Sequence, residues 1–235
     1  MDCLDASMPH DPARSTQQID GLVRRLSPRS RVLDLGCGTG RVTIPLLLAG
    51  HDVTSVDHDA DVLMALVRDA KESGVAATVI KGDLLKVMET LADEAWDAVL
   101  LLGNTFMTFF EIDAAVSVLQ AAGRCAKGSG LVVLDDLPRD LWPELTQGRW
   151  IEGVDEAESM QLIWSPDDAV FTIRAGDDVD QTCWTLQESD RRLRLWSKGA
   201  MELAASVAGL SPPVWWSEEG LMVMCAGSDG GDNVS

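Results

Sequence analysis

The chain of 235 residues contains no tyrosine, which removes phenolic acid, base or nucleophile chemistry from consideration. Lysine is nearly as scarce, 5 residues beside 14 arginines, and no basic stripe interrupts the acidic surface that the rest of the composition implies. The three histidines, His10, His51 and His58, are too dispersed to form a metal cluster, and His51 reads as a solvent-exposed turn residue. Five cysteines, Cys3, Cys37, Cys125, Cys183 and Cys225, are odd in number and lack CxxC spacing. Neither a disulfide framework nor a zinc site is expected from them. No run of eighteen apolar residues occurs, and the first residues, MDCLDASMPHD, are acidic where a secretory leader is basic and then greasy. A cytoplasmic protein is the expectation.

What the chain has in excess is carboxylate. Asp and Glu number 38 against 19 Lys and Arg, giving a formal charge of −19, and 26 of the 38 are aspartate. A polyanion of this strength repels phosphate backbones and anionic membranes, so neither is expected as a partner. The aspartate bias resembles that of salt-adapted proteins. Apolar residues make up 46% of the chain, enough for a packed core.

From residue 31 short apolar runs alternate with amphipathic stretches, the pattern of a parallel α/β sheet. Strands are expected at Arg31 to Leu35, Asp52 to Val56, Ala77 to Ile80, Ala98 to Leu102 and Leu131 to Leu134. Helices are expected near Gly40 to Ala49, Ala60 to Ser73, Leu84 to Leu91 and Asp113 to Ala126, the last with Ala115, Val118, Leu119 and Ala122 on one face. An N-terminal helix, Ser15 to Leu26, has Ser15 as its expected cap. After Asp136 the rhythm becomes that of antiparallel strands: Met160 to Trp164, Ala169 to Ile173, Thr182 to Leu186 and Leu193 to Trp196. A helix over Lys198 to Ala208, capped by Ser197, precedes two closing strands, Val214 to Trp216 and Leu221 to Cys225.

The most specific feature is Asp34-Leu35-Gly36-Cys37-Gly38-Thr39-Gly40-Arg41, a glycine turn that leaves the first strand and opens a helix. Such a turn lets backbone approach a ligand closely. A dinucleotide fingerprint, G-x-G-x-x-G, would need its third glycine at position 41, which is arginine, and a phosphate loop would need Gly-Lys-Ser or Gly-Lys-Thr. Asp34, Asp57, Asp59 and Asp83 all fall at or beyond the carboxyl ends of expected strands. Four carboxylates there would repel a pyrophosphate, yet they suit a ligand with a sulfonium, an ammonium and ribose hydroxyls.

This combination resembles the class I S-adenosylmethionine-dependent methyltransferases, whose loop reads D/E-x-G-x-G-x-G, and the resemblance covers roughly residues 15 to 136. It implies a three-layer α-β-α Rossmann-like fold, with a seven-stranded, mostly parallel sheet whose last strand is antiparallel. The domain plan is an N-terminal cap over 1–30, a cofactor-binding core over 31–136 and an antiparallel β insert over 137–196. The last helix and strand pair, 197–226, complete the sheet, and 227–235 form a Gly, Asp and Ser-rich tail, expected to be mobile.

In that family the acidic residue and the loop hold the methionine part of the cofactor, here Asp34, Gly36, Cys37, Gly38, Thr39 and Gly40. Asp57 takes the ribose hydroxyls, with His58 beside it, and Asp83 and Leu84 touch adenine. Leu102, Gly103, Asn104 and Thr105 line the crevice beside the methionine and the transferring methyl. Read without the resemblance, Asp57 and Asp83 are equally helix caps and Asn104 a turn cap.

Methyl transfer needs alignment more than an acid or base. His10 is the sole imidazole in the N-terminal segment and the candidate base should the nucleophile have to lose a proton. The segment Asn104-Thr105-Phe106-Met107 lacks the prolines of Asn/Asp-Pro-Pro-Tyr/Phe found in methyltransferases of nucleic-acid bases, which with the charge points to a small-molecule substrate. Asn104, Phe106, Phe109, Trp142 and Trp150 are its candidate contacts, whereas Trp164 and Trp184 sit in strand-like runs and are expected to pack the insert on the core. The resulting expectation is a methyltransferase acting at N or O, as a monomer or homodimer, with no metal. The alternatives are a protein that binds S-adenosylmethionine or S-adenosylhomocysteine without transfer, and an NAD-dependent oxidoreductase, which Arg41 and the acidic crevice oppose.

Overall fold

The structure, a computed structural model, describes residues 12–126, 128–135, 147–148 and 150–226. His10, Trp142 and the tail from 227 lie outside the described residues. Helix α1 (Pro12–Arg25) precedes β1 (Arg31–Leu35), α2 (Thr43–Leu48), β2 (Asp52–Asp57), α3 (Ala60–Glu72), β3 (Thr78–Lys81), α4 (Leu84–Leu91) and β4 (Ala98–Leu101). A 3-10 turn (Thr105–Thr108), α5 (Ile112–Cys125) and β5 (Leu131–Asp135) follow. Then come β6 (Gly153–Val154), β7 (Met160–Trp164), β8 (Val170–Ala175), β9 (Leu193–Arg194), α6 (Lys198–Val207), β10 (Val214–Trp216) and β11 (Leu221–Cys225).

Seven strands form one sheet in the order β10-β11-β5-β4-β1-β2-β3. The pairs among β1 to β5 are parallel, while β11 runs antiparallel to both β5 and β10. Alternate residues of the central strands bury opposite faces, as a sheet covered on both sides requires. Val32, Leu100, Val133 and Val223 pack with Leu22 of α1, with Leu26 just beyond it and with Leu46 of α2. Leu33, Leu101, Leu134 and Met222 pack on the other side with Val87 and Met88 of α4, with Met201 and Ala204 of α6, and with Ala115, Val118, Leu119 and Ala122 of α5, the expected stripe.

The strand order reverses between β1 and β4, which both neighbour each other and lead outward in opposite directions. Loops leaving the carboxyl ends of such a pair diverge and open a ligand crevice. The four-stranded antiparallel sheet β6-β7-β8-β9 forms a separate lobe from the insert. Its core is Phe171, Leu193 and Leu195 with Met107 of the 3-10 turn, so the lobe is packed onto the loop after β4.

Several sequence expectations are corrected. Helix α1 begins at Pro12, a residue pre-set for a first helical position, which places Ser15 inside the helix instead of at its cap. The segment Thr182 to Leu186 forms turns and no strand. Side chains supply its backbone partners: Gln161 Nε2 donates to the carbonyls of Asp180 and Cys183, and Arg174 to those of Cys183 and Thr185. Trp184 is accordingly 40% exposed and not a packing residue. His51 is buried rather than exposed, and burial lowers its pKa.

Candidate active site

The glycine turn is built by three left-handed residues, Gly36 (φ +70), Gly38 (φ +52) and Gly40 (φ +92). A side chain at Gly36 would strike Thr105, and one at Gly40 would strike Leu66, so these two glycines let the loop close against the fold itself. Gly38 differs: a Cβ built on it meets nothing within 4 Å. Its bare backbone faces open space. The loop is tied to β2 by the amides of Gly36 and Cys37, which both donate to the Val56 carbonyl, and by the Gly38 amide, which donates to Asp57 Oδ2 at 3.0 Å.

Asp57 ends β2, buried at its base. Its Oδ1 accepts from the Asp59 amide at 3.1 Å and lies 3.2 Å from His58 Nδ1. Each carboxylate oxygen has a second lone pair for a ligand hydroxyl. Asp34 is buried at the end of β1, where Thr43 Oγ1 donates to Oδ2 at 2.6 Å. Burial pushes its pKa from 3.8 up to about 6, against the opposing pull of the Thr43 bond and of Arg41. The Cys37 thiol is pushed well above its ordinary value by burial and by Asp34 and Asp57, so it stays neutral.

A cavity of about 480 Å³ lies over these groups. Of the residues singled out in the sequence, Asp34, Gly36, Cys37, Gly38, Thr39, Asp57, His58, Leu84, Leu102, Gly103 and Thr105 line it. Gly40 is behind the loop, against Leu66. Asp83 is exposed and caps α4, accepting from the Lys86 amide, and Asp59 caps α3 in the same way through the Asp61 amide. Asn104 is buried in a left-handed conformation (φ 66), its amide donating to Asp135 Oδ2 at 3.0 Å.

The aromatic candidates are placed elsewhere. Phe106 is a core residue on the ring of Trp196 (centroids 5.3 Å apart), and Phe109, half-buried, packs beside it. Trp150 meets Phe171 edge-on at 5.7 Å inside the lobe. Their size and apolarity were better satisfied by burial than by a polar cavity.

Four cavity residues were not singled out: Arg41, Val42, Thr108 and Arg191. Arg191 arrives from the β-lobe, and no local pattern announces it. Arg41 belongs to a buried polar chain. Its Nη1 donates to Gln18 Oε1 at 3.0 Å, Gln18 Nε2 donates to Asp135 Oδ1 at 2.8 Å, and Asp135 holds the Asn104 amide. Helix α1 is thereby bonded to the loops after β1 and β4 and to the end of β5. One turn further along the same face of α1, Gly21 leaves room for Glu219, which accepts from Arg25 at 2.8 Å.

The cavity volume falls in the range of cofactor sites. Its donors and acceptors fit S-adenosylmethionine: buried carboxylates for a cationic amino acid moiety, Asp57 for a vicinal diol, Leu84 for a ring face, and open space at Gly38 where backbone can approach.

Comparison with known proteins agrees with this geometry. Residues 32–130 match a family described as "Methyltransferase domain". The chain is 30% identical over 131 residues to a glycine/sarcosine N-methyltransferase of Aphanothece halophytica, covering 55% of this chain and 49% of that protein. It is 32% identical over 141 residues to a ubiquinone biosynthesis O-methyltransferase of Azorhizobium caulinodans, covering 59% and 49%. The chain thus spans about half the length of these curated relatives. Among solved structures, the CcbJ methyltransferase of Streptomyces caelestis superposes with a TM-score of 0.66 at 19% identity, covering 92% of this chain and 97% of that one. That likeness concerns the fold. Over residues 32–130 the chain is therefore similar to the methyltransferase domain family, and its fold is that of the solved methyltransferase on which it superposes.

Proposed function

We propose that the protein transfers a methyl group from S-adenosylmethionine to a small molecule, at nitrogen in preference to oxygen. The observation that carries the reading is the join between Asp57 and the glycine loop: one carboxylate both fixes the Gly38 amide and faces the cavity where a ribose diol would sit. When bound, S-adenosylmethionine supplies a methyl on a sulfonium, open to in-line displacement. The chain's part is to bind, orient and exclude water. Asp34 would hold the ammonium end, the Gly36 to Gly40 turn the methionine backbone, and Leu84 the adenine face. Asp83, with one oxygen accepting from the Lys86 amide, keeps the other for the exocyclic amine. Leu102 and Gly103 would border the methyl.

Nitrogen is favoured because a neutral amine carries its lone pair without help from a base at the transfer step, and because a glycine/sarcosine N-methyltransferase is among the curated relatives. The acidic surface favours a small acceptor over a nucleic acid. A screen of amine and hydroxyl metabolites with methyl-labelled S-adenosylmethionine tests the activity. Labelled amine products are expected. Cofactor binding with no labelled product from any amine or hydroxyl would identify a binder without transfer activity and refute the proposal.

A further inference from the structure

We infer that Gln18 is a positioning residue of the transfer site, joining the loop that would hold the cofactor's amino acid end to the loop that would border its methyl. The inference rests on the methyltransferase reading above and adds to it a residue that lies outside the described walls of the cavity.

Gln18 stands midway along α1, 2% exposed, with both polar atoms of its amide bonded. Oε1 accepts from Arg41 Nη1 at 3.0 Å, and Nε2 donates to Asp135 Oδ1 at 2.8 Å and to the Gly220 carbonyl at 3.3 Å. The neighbours dictate which way the amide faces. A guanidinium only donates, whereas a carboxylate and a carbonyl only accept, so the bridge needs one acceptor and one donor on a single planar group. Glutamine meets that demand without adding charge. Glutamate would keep Arg41 but set a second carboxylate against Asp135, and a hydrocarbon would leave a buried carboxylate oxygen without its donor.

Both ends of the bridge belong to the site. Arg41 follows Gly40 directly, stands in the cavity wall and favours the ionised form of Asp34. At the other end Asp135, 8% exposed, uses its second oxygen to accept the Asn104 amide at 3.0 Å. Gly103 (φ 71), another wall residue, and Asn104 (φ 66) are successive left-handed residues, a pairing that an L side chain does not sustain unaided. The Asp135 bond holds that bend in place. Leu22, four residues after Gln18, is fully buried against the sheet, so the helix carrying the amide is itself seated. Removing Arg41 or Gln18 therefore loosens Asp135 and, through it, the bend at Gly103 and Asn104. Methyl transfer depends on alignment, and at this bend alignment would be lost.

Amide hydrogen exchange of the isotope-labelled full chain, read by NMR at Asn104 with β7 and β8 as reference, tests the bridge with and without saturating S-adenosylhomocysteine. The proteins are wild type, Q18M, Q18E, R41M and the double variant Q18E/D135N. R41M cuts the bridge at its half-buried end, so the test holds even where a change at the buried Gln18 prevents folding. In the double variant the carboxylate at position 18 accepts from Arg41 and from the new amide at position 135, whose oxygen still accepts from Asn104. The bridge is rebuilt with its second link reversed, apart from the Gly220 bond. Without ligand, Asn104 is expected to exchange at least tenfold faster in Q18M and Q18E and at least threefold faster in R41M, with β7 and β8 at wild-type rates. Q18E/D135N is expected within threefold of wild type. With S-adenosylhomocysteine, Asn104 is expected to slow at least tenfold in wild type and less than threefold in Q18M. Unchanged Asn104 exchange in R41M or in a folded Gln18 variant, or a double variant no better than Q18E, overturns the inference. So does equal acceleration at β7 and β8, which marks a residue that merely supports the fold. Failure of S-adenosylhomocysteine to bind wild type overturns the methyltransferase reading instead, while the ligand-free rates still decide the bridge.

Discussion

The cofactor half and the β-lobe of this molecule are held together by different physics. Around the glycine loop buried carboxylates are bonded at close range, Asp57 to the Gly38 amide and Asp34 to the Thr43 hydroxyl, and they sit on a sheet whose central strands bury both faces. The lobe relies on charged side chains that replace missing backbone ladders: Arg174 clasps Asp190 with both partners nearly inaccessible, and Arg194 bonds both Asp168 and the Phe110 carbonyl. The first arrangement leaves local marks in a sequence. The second joins residues through space and leaves no such marks.

Breaking the lobe's clasp should have the largest effect. Asp190→Ala strands the Arg174 guanidinium, 7% exposed, and is expected to cost about 3 kcal/mol of stability. Denaturant unfolding followed by tryptophan fluorescence measures it, and a loss near zero would show that the turns at 178–191 stand without the pair. Asp57→Ala acts on the other half. It is expected to weaken S-adenosylhomocysteine binding by about 1.5 to 3 kcal/mol, through loss of charge-assisted bonds to the ligand, while the lobe's unfolding is unmoved.

Gly38→Ala separates fold from ligand most cleanly. The new methyl meets no protein atom, so only the strain of a left-handed alanine, about 1 kcal/mol, weighs on the fold. Cofactor affinity should drop at least tenfold, because the methyl occupies the ligand's approach. Unimpaired binding would place the ligand elsewhere.

A pH series tests Asp34. Its folded pKa, about 6, stands above the ordinary 3.8, so the ligand-free protein carries this group's full stabilising contribution below pH 4 and loses it as pH rises through about 6. A ligand ammonium favours the ionised carboxylate. Cofactor affinity should therefore fall as pH is lowered through about 6, and an affinity constant between pH 7 and 5 would exclude the contact. The smallest effect is expected at Trp184→Ala, on an exposed ring, within about 0.5 kcal/mol in any stability measurement.

The same contrast explains what sequence reading could reach. Strands β1, β7, β10 and β11 follow their apolar runs to the residue, and in β1 and β11 local pattern and tertiary burial agree. The loop from Gly36 to Gly40 was legible since its left-handed backbone demands glycine at each turn. Thr182 to Leu186 was misread as a strand because Thr, Cys and Trp favour extended structure, whereas Gln161 and Arg174 reach in and capture the carbonyls. Nothing near Gln18 reveals that it will bridge Arg41 and Asp135, and nothing near Arg191 reveals a cavity wall formed with residues more than eighty positions away. Phe106 shows the opposite error: aromatic character suggested a pocket wall, and the hydrophobic effect placed the ring in the core.

The central claim is that the Asp34, glycine-loop and Asp57 cavity is built for S-adenosylmethionine. Calorimetric titration of the full chain with S-adenosylhomocysteine and, separately, with NAD tests it most directly. The account predicts saturable one-to-one binding of S-adenosylhomocysteine and no measurable heat from NAD at the same concentrations; binding of NAD in preference, or no binding of S-adenosylhomocysteine, would contradict it.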